Sequence, residues 1–334
     1  MFNEIINEIF YKNYIIEGGK TMERSVCWRN TFFSIGMMVL LMLFVMACTP
    51  GNGPVGTPKA FNEIFVANDS GDNVMVFSRT ADGAATPLRT ITGLSEPDNV
   101  AIDGVNNELF VYNASDLTIK VFSRTADGAA TPLRTITGTE LVSTGDITGL
   151  VVDPVNNELF VSSNDTVFVF SRTADGAATP LRTISGFNDT RGLALDTTNN
   201  ELFVADLGAN TIYVVSRTAD GALTPLRTIT GVTGVEGLAL DLINDELIAG
   251  ATSAGGSVRV YSRTADGAAA PLRTITTTVS NDMEGVAVDP YSNELFAADW
   301  NGNILVFSRT ADGETTPLRT ITGLSTPAGI TLGP

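Results

Sequence analysis

The chain has 334 residues, with 20 lysines and arginines against 37 aspartates and glutamates, a formal charge of −17, and no histidine. Lacking histidine, it has no Ser-His-Asp hydrolysis, no imidazole-held zinc and no histidine general base. Cys27 and Cys48 are its only cysteines, so the long region after them must be held by packing alone.

The first elements lie ahead of any core-forming pattern. Residues 1–21 match no element and read as an extension before Met22, where translation is expected to begin. Glu17-Gly18-Gly19 would be encoded by a purine-rich stretch able to serve as a ribosome-binding site for that start. From Met22, Arg24 and Arg29 precede an apolar stretch over 31–46, and Ala47-Cys48 follow. That order of positive, apolar and small residues is the layout of an export signal over 22–47. A membrane-anchor helix is the other reading, but the stretch is short against the roughly 20 apolar residues a span needs. Val45-Met46-Ala47-Cys48 resembles a lipobox. That resemblance implies cleavage before Cys48, lipid on its thiol, and an exported protein anchored to the cell envelope at the outer membrane, periplasmic face or cell surface. Thr49 follows where an aspartate would signal inner-membrane retention. Residues 48–60, rich in glycine and proline, form a tether with no core-forming side chains.

Six repeats follow. Ser-Arg-Thr-Ala-Asp-Gly begins at Ser78, Ser123, Ser171, Ser216, Ser262 and Ser308, at intervals of 45, 48, 45, 46 and 46 residues. A period of that size means supersecondary units that bury a core only together. The unit from Thr190 holds four short apolar runs: 192–196, 201–206, 211–216 and 226–231. Each is rich in β-branched and aromatic residues and too short for a helix. Asn-Asn, Gly-Ala-Asn and Ala-Asp-Gly between them are turn residues, and Asp82-Gly83 with its equivalents is expected to make the hairpin between third and fourth strands. The fold class is therefore all-β, a propeller of four antiparallel strands per blade.

The ends of the region fix its closure. It opens at Asn62-Glu63-Ile64-Phe65, a second strand without a first, and closes at Pro327-Ala328-Gly329-Ile330, a first strand without a second. Joining them completes a ring without exposed edges. The expected blades are 61–93 with 327–334, then 97–138, 146–186, 190–231, 235–276 and 282–323, six in all. A monomer is expected.

Gly-Leu-Ala-Leu-Asp (192–196), Asn-Glu-Leu-Phe-Val-Ala-Asp (200–206) and the Asn before Ile-Tyr-Val-Val-Ser (212–216) resemble the NHL-type repeat. That repeat belongs to the gluconolactonase-like six-bladed propellers, and the resemblance spans about 61–334. It implies a fold; function must be argued from a site.

Residues that recur in all six units serve the blade. Arg79 and Arg89, with their equivalents, account for twelve of the 16 basic residues after position 47, and with Glu63 and its equivalents are expected to form a ladder between neighbouring blades. The acidic excess keeps the domain soluble and disfavours nucleic acid and anionic lipid as partners.

Function should lie where the repeats disagree. Before the first-strand glycine stand Asp98, Thr148, Arg191, Glu236, Glu284 and Ala328; after the second strand stand Asn68, Asn113, Ser163, Asp206, Ala251 and Asp299. If both columns face one rim, Asp206, Glu236, Glu284 and Asp299 cluster beside Arg191, a set of hard oxygen ligands suited to Ca²⁺ or Mg²⁺. The gluconolactonase-like resemblance likewise implies a metal held by Glu, Asn and Asp at such positions. Trp300, beside Asp299, and Tyr112, beside Asn113, either line a ligand pocket or pack on loop ends. Insertions at 138–144 and 252–256 are further departures from uniformity. Two functions follow. The first is a lipid-anchored scaffold binding a protein, peptide or glycan. The second is a metal-dependent lactonase or hydrolase working through the acidic rim.

Overall fold

The computed structural model describes residues 62–334 apart from 139, 140, 142–146, 253, 254 and 281, together with a separate pair of strands. That pair, Asn13–Glu17 and Lys20–Arg24, is antiparallel, with Ile15 opposite Met22. The apolar stretch 31–46, Cys48 and the tether lie outside the described residues, as does most of the 138–144 insertion.

Residues 62–334 form a six-bladed propeller, and its described residues are all-β apart from a single 3-10 turn at Asp69–Gly71 and Leu141. Blade 2 shows the pattern: Pro97–Asp103, Glu108–Asn113, Thr118–Ser123 and Arg134–Thr137, each antiparallel to the next. The upper end of a blade is where Pro97 faces Asn113, and the lower end is where Asp103 faces Glu108. Closure is as the sequence implies. Pro327–Gly333 becomes the innermost strand of blade 1, with Ile330 opposite Val66 and Gly333 opposite Glu63.

The second strand explains the packing. In Glu108–Asn113 every residue is buried, because alternate side chains serve two cores. Phe110 and Tyr112 join Leu159 and Val161 of blade 3, while Leu109 and Val111 join Phe65 and Ala67 of blade 1. A strand covered on both faces needs a continuous apolar run rather than alternation. The same arrangement fills all six seams between blades. Fully burying each such Phe, Leu or Val contributes roughly 1.5–3 kcal/mol.

One expectation is refined. Third and fourth strands are antiparallel neighbours joined through Asp82-Gly83, but the pair makes no tight turn; it clasps the blade before it. The Gly83 N–H donates to the Thr320 carbonyl at 2.8 Å, and the Thr322 N–H donates to the Gly83 carbonyl at 2.9 Å. The Asp82 carboxylate accepts the Thr320 N–H at 3.1 Å. Gly128, Gly176, Gly221, Gly267 and Gly313 pair likewise, in parallel, with Ile91, Ile136, Ile184, Ile229 and Ile275. The third strand ends at Ser78 and the fourth starts at Arg89, so the connector is too long for a tight turn and swings outward instead. Gly83 has φ +61°, the left-handed region that glycine enters without strain.

The ladder between blades is present at every seam. Glu63 accepts Arg89 of its own blade at 2.8 Å and Arg124 of blade 2 at 2.7 Å. Glu108, Glu158, Glu201, Glu246 and Glu294 repeat this with Arg134 and Arg172, Arg182 and Arg217, Arg227 and Arg263, Arg273 and Arg309, and Arg319 and Arg79. Burial tends to raise the Glu246 and Glu294 carboxyls, but hydrogen bonds and charge from their arginines outweigh it and lower both.

Candidate functional site

The innermost strands line a central cavity of about 700 Å³. Their upper ends approach so closely that a side chain at the repeated glycine would collide with the neighbouring blade. A Cβ on Gly192 would lie 2.5 Å from the Glu236 carbonyl, and one on Gly237 only 2.3 Å from that of Glu284. Gly285 meets Ala328 and Gly329 meets Asp98 in the same way. In blade 2 that position is Asn99, whose side chain instead reaches across the seam to the Thr148 carbonyl at 3.1 Å. These contacts set Asp98, Thr148, Arg191, Glu236, Glu284 and Ala328 around one closed mouth, and all six line the cavity.

The mouth is strongly polarised. Arg191 Nη2 pairs with Asp189 at 3.0 Å, and its Nε lies 3.5 Å from Glu236. Burial pushes the Glu236 carboxyl up to about 7, with Asp189, Asp282 and Asp98 adding to the rise against the opposing charge of Arg191. Burial likewise drives Glu284 up to about 9, reinforced by Asp98, Glu236 and Asp282. Asp282, whose Oδ1 is buried without a hydrogen-bond partner, is itself raised by burial and then by Asp299. At neutral pH the mouth therefore offers a protonated Glu284 as a donor, a Glu236 close to its midpoint, and one guanidinium.

The second column goes elsewhere. Asp206 and Asp299 are fully buried, and neither lines the cavity. The Asp206 carboxylate accepts the N–H groups of Asn188, Asp189 and Ala209 at 2.9, 3.1 and 3.0 Å. Asp299 accepts the Ser280 hydroxyl at 2.7 Å and the Asn301 and Asn303 side-chain amides at 2.8 Å. Each ties the loop entering its blade to the loop after its second strand, which is where the sandwiched second strand must end. Asn113 does the same, accepting the Ser95 N–H and donating to Asp116. Tyr112 packs into the core between blades 2 and 3. Trp300 is half-exposed and lines the mouth.

The expected four-carboxylate metal set is thus split. Glu236 and Glu284 come together, while Asp206 and Asp299 are spent on loop donors. Among the described residues no three acidic side chains converge closely enough to hold a metal ion, so the expected Ca²⁺ or Mg²⁺ ligand set is not assembled. Sequence reasoning missed Asn99, Asp189 and Asp282. Asn99 breaks the repeated glycine, the kind of signal that marked the mouth column, whereas Asp189 and Asp282 share one repeat position with Asp146 and so did not stand out.

No protein-family model matches the chain, and no curated protein matches it in sequence. Solved structures match its fold. A chain of a nidogen–laminin complex is 14% identical with a TM-score of 0.62, covering 81% of this chain and 98% of that one. A functionally unknown protein from Desulfotomaculum acetoxidans DSM 771 is 12% identical with a TM-score of 0.58, covering 81% and 99%. The WD40 β-propeller domain of Doa1 is 16% identical with a TM-score of 0.55, covering 80% and 81%. At such identities the likeness is one of fold.

Proposed function

We propose that this protein is an exported scaffold of NHL-like repeats, anchored to the cell envelope by lipid on Cys48, that binds a protein, peptide or glycan at its channel mouth. The observation that carries this reading is the mouth ring itself. The clasps and ion-pair ladder repeat six times, as structural parts do, whereas the mouth positions hold Asp98, Thr148, Arg191, Glu236, Glu284 and Ala328. Sites on repeat proteins lie where the units differ. The chain of the nidogen–laminin complex shares the fold within a protein assembly, which supports a partner-binding role.

The chemistry favours a ligand segment bearing an amine or guanidinium. A cation entering between Glu236 and Glu284 offsets the burial and surrounding acidic charge that hold both carboxyls protonated, drawing both toward the carboxylate form and releasing protons as it binds. Trp300 offers an aromatic wall for such a cation. The test is a binding screen of the full chain against lysine- and arginine-containing peptides and amine-bearing glycans, repeated with Glu236→Gln and Glu284→Gln. Binding that weakens at least about tenfold in either variant, roughly 1.4 kcal/mol, supports the reading. Ligands held equally by wild type and both variants would overturn the mouth as the site.

A further inference from the structure

The lower face carries an apolar feature that the mouth does not explain. Val105, Val155, Ile243 and Tyr291 occupy the hairpins between first and second strands of blades 2, 3, 5 and 6, with 75, 76, 58 and 51% of their surface exposed. Leu242 adds a fifth apolar side chain, 48% exposed. These are turn positions, where polar residues, glycine and proline are the usual occupants. The display is rigid. The backbone N–H groups of Val105, Val155, Ile243 and Tyr291 each donate to a buried aspartate, Asp103, Asp153, Asp241 or Asp289, at 2.9 to 3.1 Å. Each aspartate thus fixes its turn while the apolar side chain points into solvent.

Where the chain enters the ring says what this face meets. The Asn62 N–H donates to the Gly333 carbonyl at 2.9 Å, and the Arg79 N–H donates to the Asn62 carbonyl at 2.9 Å, so Asn62 is at the lower end. Only residues 49–61 separate it from Cys48, a length that spans at most about 45 Å even when fully extended.

We propose that the lower face docks on the lipid bilayer that holds the Cys48 anchor, turning the mouth away from the membrane; this rests on the lipid-anchor reading above. Val, Ile, Leu and Tyr at turn tips suit shallow insertion, and the phenol of Tyr291 suits the headgroup level. A short tether raises the local concentration of the face at the bilayer, so weak contacts suffice.

The test uses the full chain, purified from membranes and reconstituted in phosphatidylethanolamine/phosphatidylglycerol vesicles. Val155→Cys and Ser115→Cys, the latter in an exposed upper loop, each carry an environment-sensitive fluorophore, and intact mass reports whether Cys48 is acylated. With Cys48 acylated, the expected result is a blue shift and quenching by spin-labelled lipid at position 155 and neither at 115. Equal quenching at the two positions, or quenching at 115 alone, overturns the proposal. If Cys48 is not acylated, the anchor reading fails, and docking is judged by flotation of the chain on the same vesicles. Flotation lost in the Val155→Asp/Ile243→Asp variant still supports the docking face, whereas flotation unchanged or absent overturns it.

Discussion

Glu108 and Arg172 are 64 positions apart in the chain yet meet at 2.6 Å, both buried, across the seam between blades 2 and 3. The same carboxylate accepts Arg134 of its own blade through both oxygens, at 2.7 and 3.0 Å. A single glutamate thus ties an outermost strand to the next blade, and six of them close the ring.

Glu108→Ala should therefore cost far more than the loss of a surface ion pair. It leaves two guanidinium groups partly or wholly buried without their main counter-charge, a defect worth about 3–5 kcal/mol. Urea unfolding of the variant measures it, and a loss below about 1 kcal/mol would show the ladder to be ornamental.

The mouth should make stability fall as pH rises. The Glu284 carboxyl is raised by burial and by Asp98 to about 9, and Glu236 by burial to about 7. With folded values above unfolded ones, the folded state binds more protons than the unfolded state between them. Their stabilising contribution is fully present below about 4.5 and is lost progressively up to about 7 and about 9. Glu284→Gln, which stays neutral, should melt at least roughly 2 °C higher than wild type at pH 8.5 and alike at pH 4. Melts that differ equally at both pH values would contradict this.

Gly237→Ala should loosen the mouth from within. Its Cβ would sit 2.3 Å from the Glu284 carbonyl and 3.1 Å from Gly285 Cα, both backbone atoms that cannot rotate aside. Overpacking of this kind costs about 1–3 kcal/mol. Denaturant unfolding checks the cost, and a shift of the Glu284 titration in NMR-monitored pH series checks the displacement.

Excess Ca²⁺ should leave the melting temperature unchanged within about 1 °C relative to chelator, because binding to the native state alone would raise it. Asp206 and Asp299, which the mouth would need as ligands, are occupied by loop donors. A rise of several degrees that vanished in Glu236→Gln/Glu284→Gln would revive the metal reading.

Much of the fold was legible because its signals are local. Runs such as Glu201–Asp206 and Thr211–Ser216 declare strands by their own β-branched content and flanking turns. The unmatched second strand at Glu63 and first strand at Pro327 declare closure by counting alone. The site was half legible. Glu236, Glu284 and Arg191 stood out by breaking the repeat, and they meet; Asp206 and Asp299 broke it too, yet face inward. Sequence cannot separate these cases, since both are carboxylates at strand ends, and only packing decides which one loop N–H groups satisfy and which one faces the cavity.

By itself, then, the sequence determined a six-bladed closed ring, its strand order and the recurrence of its glutamates and arginines, all of which follow from period, turn chemistry and phase. Only the tertiary structure decided that Asp82-Gly83 clasps the preceding blade, that Glu236 and Glu284 share the mouth without Asp206 and Asp299, and that Asn62 enters at the same end of the ring as Val105, Val155, Ile243 and Tyr291. The physical reason is distance along the chain. Strands form from neighbouring residues, whereas clasps, burial and the charge around a carboxyl depend on which distant blade lies against it.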